Sequence, residues 1–147
     1  IGMLREVTGK TITLNRQPIV LYSSFTDLTS LTAAIPEDKR SMLSVTPDTI
    51  TANVQGFQLG VHIANRVPFS RIEFEHYGQS PFPFYFTMHF DSSNIQEGMT
   101  DFHIELKAEL NTMMNMMLGG RMQELVDHIT DAVAAAASGN VPADFHL

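Results

Sequence analysis

The chain has 147 residues, 44% of them hydrophobic and 17% charged, a balance that fits one ordinary globular domain and excludes a disordered or fibrous chain. A formal net charge of −7, with only nine scattered Lys and Arg, argues against nucleic acid or an anionic membrane surface as partner. The absence of Cys excludes disulfides and thiolate metal sites, and no run approaches the roughly 18 apolar residues of a membrane span.

In chain order, Val7, Thr8, Thr11, Ile12, Thr13 and Leu14 give residues 3–14 the β-branched character of a first strand. The opening IGMLREV lacks the basic, apolar and small-residue regions of a signal peptide, and a cytoplasmic protein is expected. Asn15 is a candidate helix cap and Pro18 suits a first helical turn, where a missing N–H costs little. Ile19 to Ile35 then reads as two short helices, broken by the Ser, Thr and Asp residues between Ser23 and Ser30 and ending at Pro36.

From residue 41 the apolar period changes to two. Leu43 and Val45 form a short strand, Thr46-Pro47-Asp48-Thr49 a turn, and Ile50, Ala52 and Val54 the next strand. Gln55-Gly56 suits a tight hairpin loop, after which Phe57, Leu59, Val61 and Ile63 alternate with polar residues. Ile72 and Phe74, then Phe84, Phe86, Met88 and Phe90, then Phe102, Ile104, Leu106, Ala108 and Leu110 repeat the pattern. The turns between them fall at Val67-Pro68, at Gly78 to Pro83 and at Asp91 to Gly98. Alternation of this kind predicts antiparallel strands with one dry face and one wet face.

Asn111 to Ser138 is the only long stretch with helical periodicity. Met114, Leu118, Met122, Leu125, Ile129, Ala132 and Ala136 recur at steps of four and three, while Gln123, Glu124, Asp127, His128, Thr130 and Asp131 are expected on the opposite face. Such a helix spans about 40 Å at about 1.5 Å per residue. Gly119-Gly120 interrupts it, and close packing is the favoured reading, with a hinge as the alternative. Met113, Met116 and Met117 cannot all point inward and could form a patch for a partner or a homodimer. Residues 1–138 are taken as one domain and 139–147 as a flexible tail beyond a Gly139 stop.

The fold class expected is therefore α+β, in the order β-α-α-β6-α, a curved antiparallel sheet wrapped around the carboxy-terminal helix. This order resembles the START-like superfamily, also called SRPBCC or the helix-grip fold, which includes the birch pollen allergen and polyketide cyclases. The resemblance rests on Ile35-Pro36-Glu37-Asp38-Lys39, on Ser80-Pro81-Phe82-Pro83-Phe84 leading into a strand, and on Leu106 to Met114 running into the helix. That last segment is most similar to small Bacteroidetes-type members, although Thr112 stands where they often carry Pro.

The resemblance implies a cavity between helix and sheet for a hydrophobic small molecule or lipid. Its expected lining is Leu59, Val61, Phe74, His76, Phe84, Phe86, Met88, Phe90, Phe102 and Ile104, faced by Met122, Leu125 and Ile129. The bland alternative is that these side chains simply fill a core. A cyclase- or hydrolase-like reading would use His76 with Asn65, both inward by strand parity and near strand ends. A third reading is an interaction module like the chaperone-regulating relatives. His89, His103 and Glu105 would share the outer face of one hairpin, a set that can bind zinc but more often is a solvated face. No catalytic residue, metal or cofactor is assigned, and neither nucleic acid nor integral membrane association is expected.

Overall fold

A computed structural model describes residues 2–33, 37–54 and 57–137. Eight strands form one antiparallel sheet: β1 (Met3–Thr8), β2 (Ile12–Leu14), β3 (Leu43–Val45), β4 (Thr49–Val54), β5 (Phe57–Val67), β6 (Arg71–His76), β7 (Phe84–Ser92) and β8 (Thr100–Leu110). Their spatial order is β1-β8-β7-β6-β5-β4-β3, with β2 also on β8. The helices are α1 (Pro18–Phe25), α2 (Leu28–Thr32), α3 (Glu37–Arg40), α4 (Thr112–Leu118) and α5 (Met122–Ala137).

The expected meander of six strands is present, each paired with the next from β3 to β8. The expected single first strand is two. Gly9 separates β1 from β2 and donates its N–H to the Ile104 carbonyl at 2.7 Å, while both pieces pair with β8. Asn15 does not cap α1. Gln17 holds the cap position with no side-chain bond, and Pro18 opens the helix as expected. The expected break within Ser23–Ser30 is there, and the Asp27 carboxylate caps α2 by accepting from the Thr29 N–H at 3.0 Å. A third short helix, α3, also lies beyond the two expected. The Pro36 stop, the Gln55-Gly56 loop and the tail fall outside the described residues.

The interior consists of two apolar clusters. One joins α1 and α2 to the far half of the sheet through Leu21, Phe25, Leu28, Ile72, Phe90 and Phe102, with Val126 and Val133 from α5. The other joins Phe84, Ala108 and Leu110 to Met114 and Met122. Burying each large aliphatic or aromatic side chain contributes about 1.5–3 kcal/mol. The helix after β8 starts cleanly, because the Asn111 side chain accepts from the Met114 N–H at 2.8 Å.

The expected inner stripe of α5 is rotated. The buried residues are Met122, Val126, Thr130 and Val133, whereas Leu125 is 52% and Ile129 37% exposed. The cause lies at the β1–β2 break. A side chain at Gly9 would meet Val126 Cγ1 at 2.5 Å, so only the bare backbone there lets the helix sit this close. Three polar contacts then fix its rotation: Gln123 to the Thr8 carbonyl at 3.0 Å, the Lys10 N–H to Asp127 at 3.1 Å, and Lys10 Nζ to Asp131 at 2.7 Å. Thr130, expected outside, is accommodated inside because its hydroxyl donates to the Val126 carbonyl at 2.9 Å.

Gly119 and Gly120 belong to a 3-10 turn, Gly119–Arg121, that joins α4 to α5. Close packing holds for one of them only. A Cβ on Gly119 would meet Asn115 Oδ1 at 2.5 Å, while one on Gly120 would meet nothing within 4 Å. Arg5 of β1 donates to that same Asn115 oxygen at 2.6 Å, tying the sheet edge to α4. No helix among the described residues is long and apolar enough to cross a membrane.

Candidate functional site

Cross-strand register decides which side chains share the inner face. Val7, Leu106, Phe86, Phe74 and Ile63 lie in one row across five strands, with Phe86 stacked on Phe74 at 4.4 Å. Phe74 and Ile63 are buried, but Leu106, Phe86 and Val7 are only half-buried. Together with Val61, these three pack against both apolar clusters at once. They therefore form a waist between two closed cores, with apolar surface still open. Leu59, Phe82 and Leu118 flank it on the Met114–Met122 side.

The rotation of α5 turns a second apolar pair outward. Its Gln123–Asp127 side is pinned to Thr8 and Lys10, and the helix packs on β8, β1 and β2. Leu125 and Ile129 lie on the side of α5 away from Gln123 and Asp127, roughly 60–100° round the helix from the buried face. The expected lining thus separates into two groups. Phe74, Phe84, Met88, Phe90, Phe102, Ile104 and Met122 are buried and have little surface to offer a ligand here. Leu59, Val61 and Phe86 are partly buried against the clusters, and Leu125 and Ile129 are exposed on α5. Val7, Phe82, Leu106 and Leu118 are likewise partly buried against the clusters. Strand parity puts Leu106 inward and helical periodicity puts Leu118 on the apolar stripe, so the sequence signals both.

Asn65 does not belong to this face. A β-bulge between Ile63 and Asn65 adds one residue, Ala64, and reverses the parity, so Asn65 pairs with Glu73 on the outer face and donates to its carboxylate at 2.6 Å. That bond is the main reason the Glu73 carboxyl lies below its ordinary range, with Arg71 adding to it. Arg66 turns inward instead and binds Thr26 and Asp48. His76 is inward and half-buried, opposite Val61, as its parity implies. Its Nδ1 lies 3.3 Å from the Phe84 N–H and 3.4 Å from the Phe84 carbonyl oxygen, within reach of both backbone groups. His76 and Asn65 are therefore on opposite faces, and the pair required for acid–base work is not assembled. Among the described residues no buried side-chain nitrogen or oxygen lacks a hydrogen-bond partner.

The outer face is polar. His89 and His103 are direct cross-strand partners, their rings stacked at 4.4 Å, with Glu105 two positions further along β8. A cleft of about 340 Å³ beside them is lined by Glu73, Tyr85, Thr87, Glu105 and Lys107. A second, of about 430 Å³, lies at the sheet edge between Gly2, the Pro81–Pro83 segment and Asn111.

No protein-family profile and no curated protein sequence matches the chain. Solved structures do. Mll3558 from Rhizobium loti aligns over 92% of this chain and 98% of its own, with a TM-score of 0.66 and 16% identity. A START superfamily protein from Mycobacterium smegmatis covers 90% of this chain and 97% of its own, with a TM-score of 0.62 and 12% identity. Norcoclaurine synthase from Thalictrum flavum, in complex with dopamine and hydroxybenzaldehyde, covers 94% and 86% with a TM-score of 0.67 and 9% identity. The chain has the START/SRPBCC-like helix-grip fold.

Proposed function

We propose that this START-like chain binds a hydrophobic small molecule or lipid in the groove between α5 and the inner face of the sheet, without catalysing its conversion. One observation carries the reading. Val61, Phe86 and Leu106 touch both buried clusters yet stay only partly buried, and α5 carries exposed Leu125 and Ile129 beside its buried face. Apolar surface left on the concave side of a sheet is stabilised by an apolar occupant at about 25 cal/mol per Å² removed from water. That a norcoclaurine synthase of this fold holds dopamine and hydroxybenzaldehyde agrees with a small-molecule site in such a scaffold. The separation of His76 from Asn65 argues against the cyclase-like alternative. A cytoplasmic setting, where hydrophobic metabolites need a carrier, is part of this reading.

Native mass spectrometry of gently purified protein tests it. The expected result is a co-purified hydrophobic molecule released on denaturation. A clean apo mass, together with no saturable uptake of a fluorescent fatty acid, would falsify the proposal.

A second reading has its own observation. Met113, Met116 and Met117 are all strongly exposed on α4, Met116 at 82%. This favours a contact surface there, for a partner protein or a second copy. Sedimentation of wild type beside a Met116→Glu, Met117→Glu variant distinguishes a homodimer, which the change would dissociate, from a monomer.

A further inference from the structure

Independently of the groove, we infer that the outer face of the β7–β8 hairpin is a binding site for a divalent transition-metal ion of the zinc type, ligated by His89, His103 and Glu105. The register makes the cluster: His89 lies directly opposite His103, and Glu105 is on the same face, opposite Thr87. Its ligand atoms all fall within 4.8 Å of one another. Glu105 Oε1 is 2.9 Å from His89 Nε2 and 3.6 Å from His103 Nε2.

Those spacings are the ones an ion requires. With zinc–nitrogen and zinc–oxygen bonds of about 2.0–2.2 Å in tetrahedral geometry, neighbouring ligand atoms stand roughly 3.3 Å apart. The two measured distances bracket that value. The rings are parallel, within 3°, so sharing one ion needs them to open toward each other. That is a rotation about χ2, a broad and soft torsion in His.

The charged groups facing the cluster are Arg71 from β6, opposite His89, with Glu73 two residues beyond it, and Asp91, 4.0 Å from His103 Nδ1. Asp91 can orient the His103 ring from behind, the supporting role that carboxylates take around metal-bound His. Three protein ligands leave one position for water, and the half-exposed Glu105 also forms part of the wall of the outer cleft.

The test is calorimetric titration of the chelator-treated full chain with Zn²⁺ alone, alongside histidine NMR spectra. Wild type is expected to take up one equivalent saturably, with the ring signals of His89 and His103 shifting. His103→Ala should weaken binding by about a hundredfold or more, because loss of even an outer-shell partner costs up to about that much. Glu105→Gln, which keeps the fold and the shape of the side chain, should also weaken it. His62→Ala, in a separate His–Glu pair on the same sheet face, should leave it unchanged. Absence of saturable uptake by folded wild type overturns the assignment. So does uptake that persists in both His103→Ala and Glu105→Gln.

Discussion

Gly9→Ala puts one methyl group at the closest point between helix and sheet. That carbon would lie 2.5 Å from Val126 Cγ1 and 3.2 Å from the Ile104 carbonyl oxygen. Ordinary contact between carbons begins about 1 Å further out. Neither neighbour can yield easily. Val126 is 1% exposed and β-branched, with little rotamer freedom in a helix, and the Ile104 oxygen belongs to β8, which is paired on both sides. Relief must come from lifting α5, which would also stretch the Gln123, Asp127 and Lys10 contacts. Overpacking of this kind costs about 1–3 kcal/mol. At about 2 kcal/mol, the expected fall in Tm for a domain of this size is about 4–8 °C. Thermal and urea unfolding followed by circular dichroism measure it. A double-mutant cycle with Val126→Ala isolates the cause, since removing Cγ1 removes the clash and should make the pair less damaging than the sum. An unchanged Tm in Gly9→Ala, or strict additivity in the cycle, would refute the account of why the helix is rotated.

Gly120→Ala makes a useful opposite, because nothing lies within 4 Å of the new methyl and the helical propensity gain is up to about 1 kcal/mol, so Tm should rise or hold. Asn111→Ala should cost about 1 kcal/mol by leaving the Met114 N–H uncapped, read as a lower urea midpoint with the same slope. The Asp27 carboxyl is held below its ordinary range chiefly by the Thr29 hydroxyl, so its contribution is present above the unfolded value and is lost as pH falls through the lowered folded one. Asp27→Asn keeps the cap but removes the titration, and should flatten the acid limb of Tm below about pH 4, which a thermal series descending from neutral pH checks. Leu125→Glu, at a half-exposed position, should leave Tm nearly unchanged yet weaken uptake of a fluorescent fatty acid at least about tenfold if that flank walls the groove.

The sequence carries the strands well because one-sided burial imposes a strict period of two, and β8, with Phe102, Ile104, Leu106, Ala108 and Leu110 all inward, shows it most clearly. It carries the rotation of α5 poorly. Leu125 and Ile129 are better apolar residues than Thr130, and periodicity alone favours them. The choice is made by Gly9, more than a hundred residues upstream, whose missing side chain fixes how the helix lands. Asn65 fails for a related reason, since parity is reliable only until one residue is inserted, and nothing in Ile63-Ala64-Asn65 announces the bulge. The histidine pair is the reverse case. Once the hairpin between β7 and β8 is accepted, His89 and His103 must be close, and the register makes them partners.

The bulge at Ala64 also has a mechanical side. By exchanging inside for outside, it delivers the guanidinium of Arg66 to the rim, where it reaches Thr26 at 2.8 and 2.9 Å and Asp48 at 2.6 Å. One cation thus buckles the end of α1, the turn between β3 and β4, and the long strand β5. Shortening the strand by that single residue would return the guanidinium to solvent and leave three separate segments to find their places unaided.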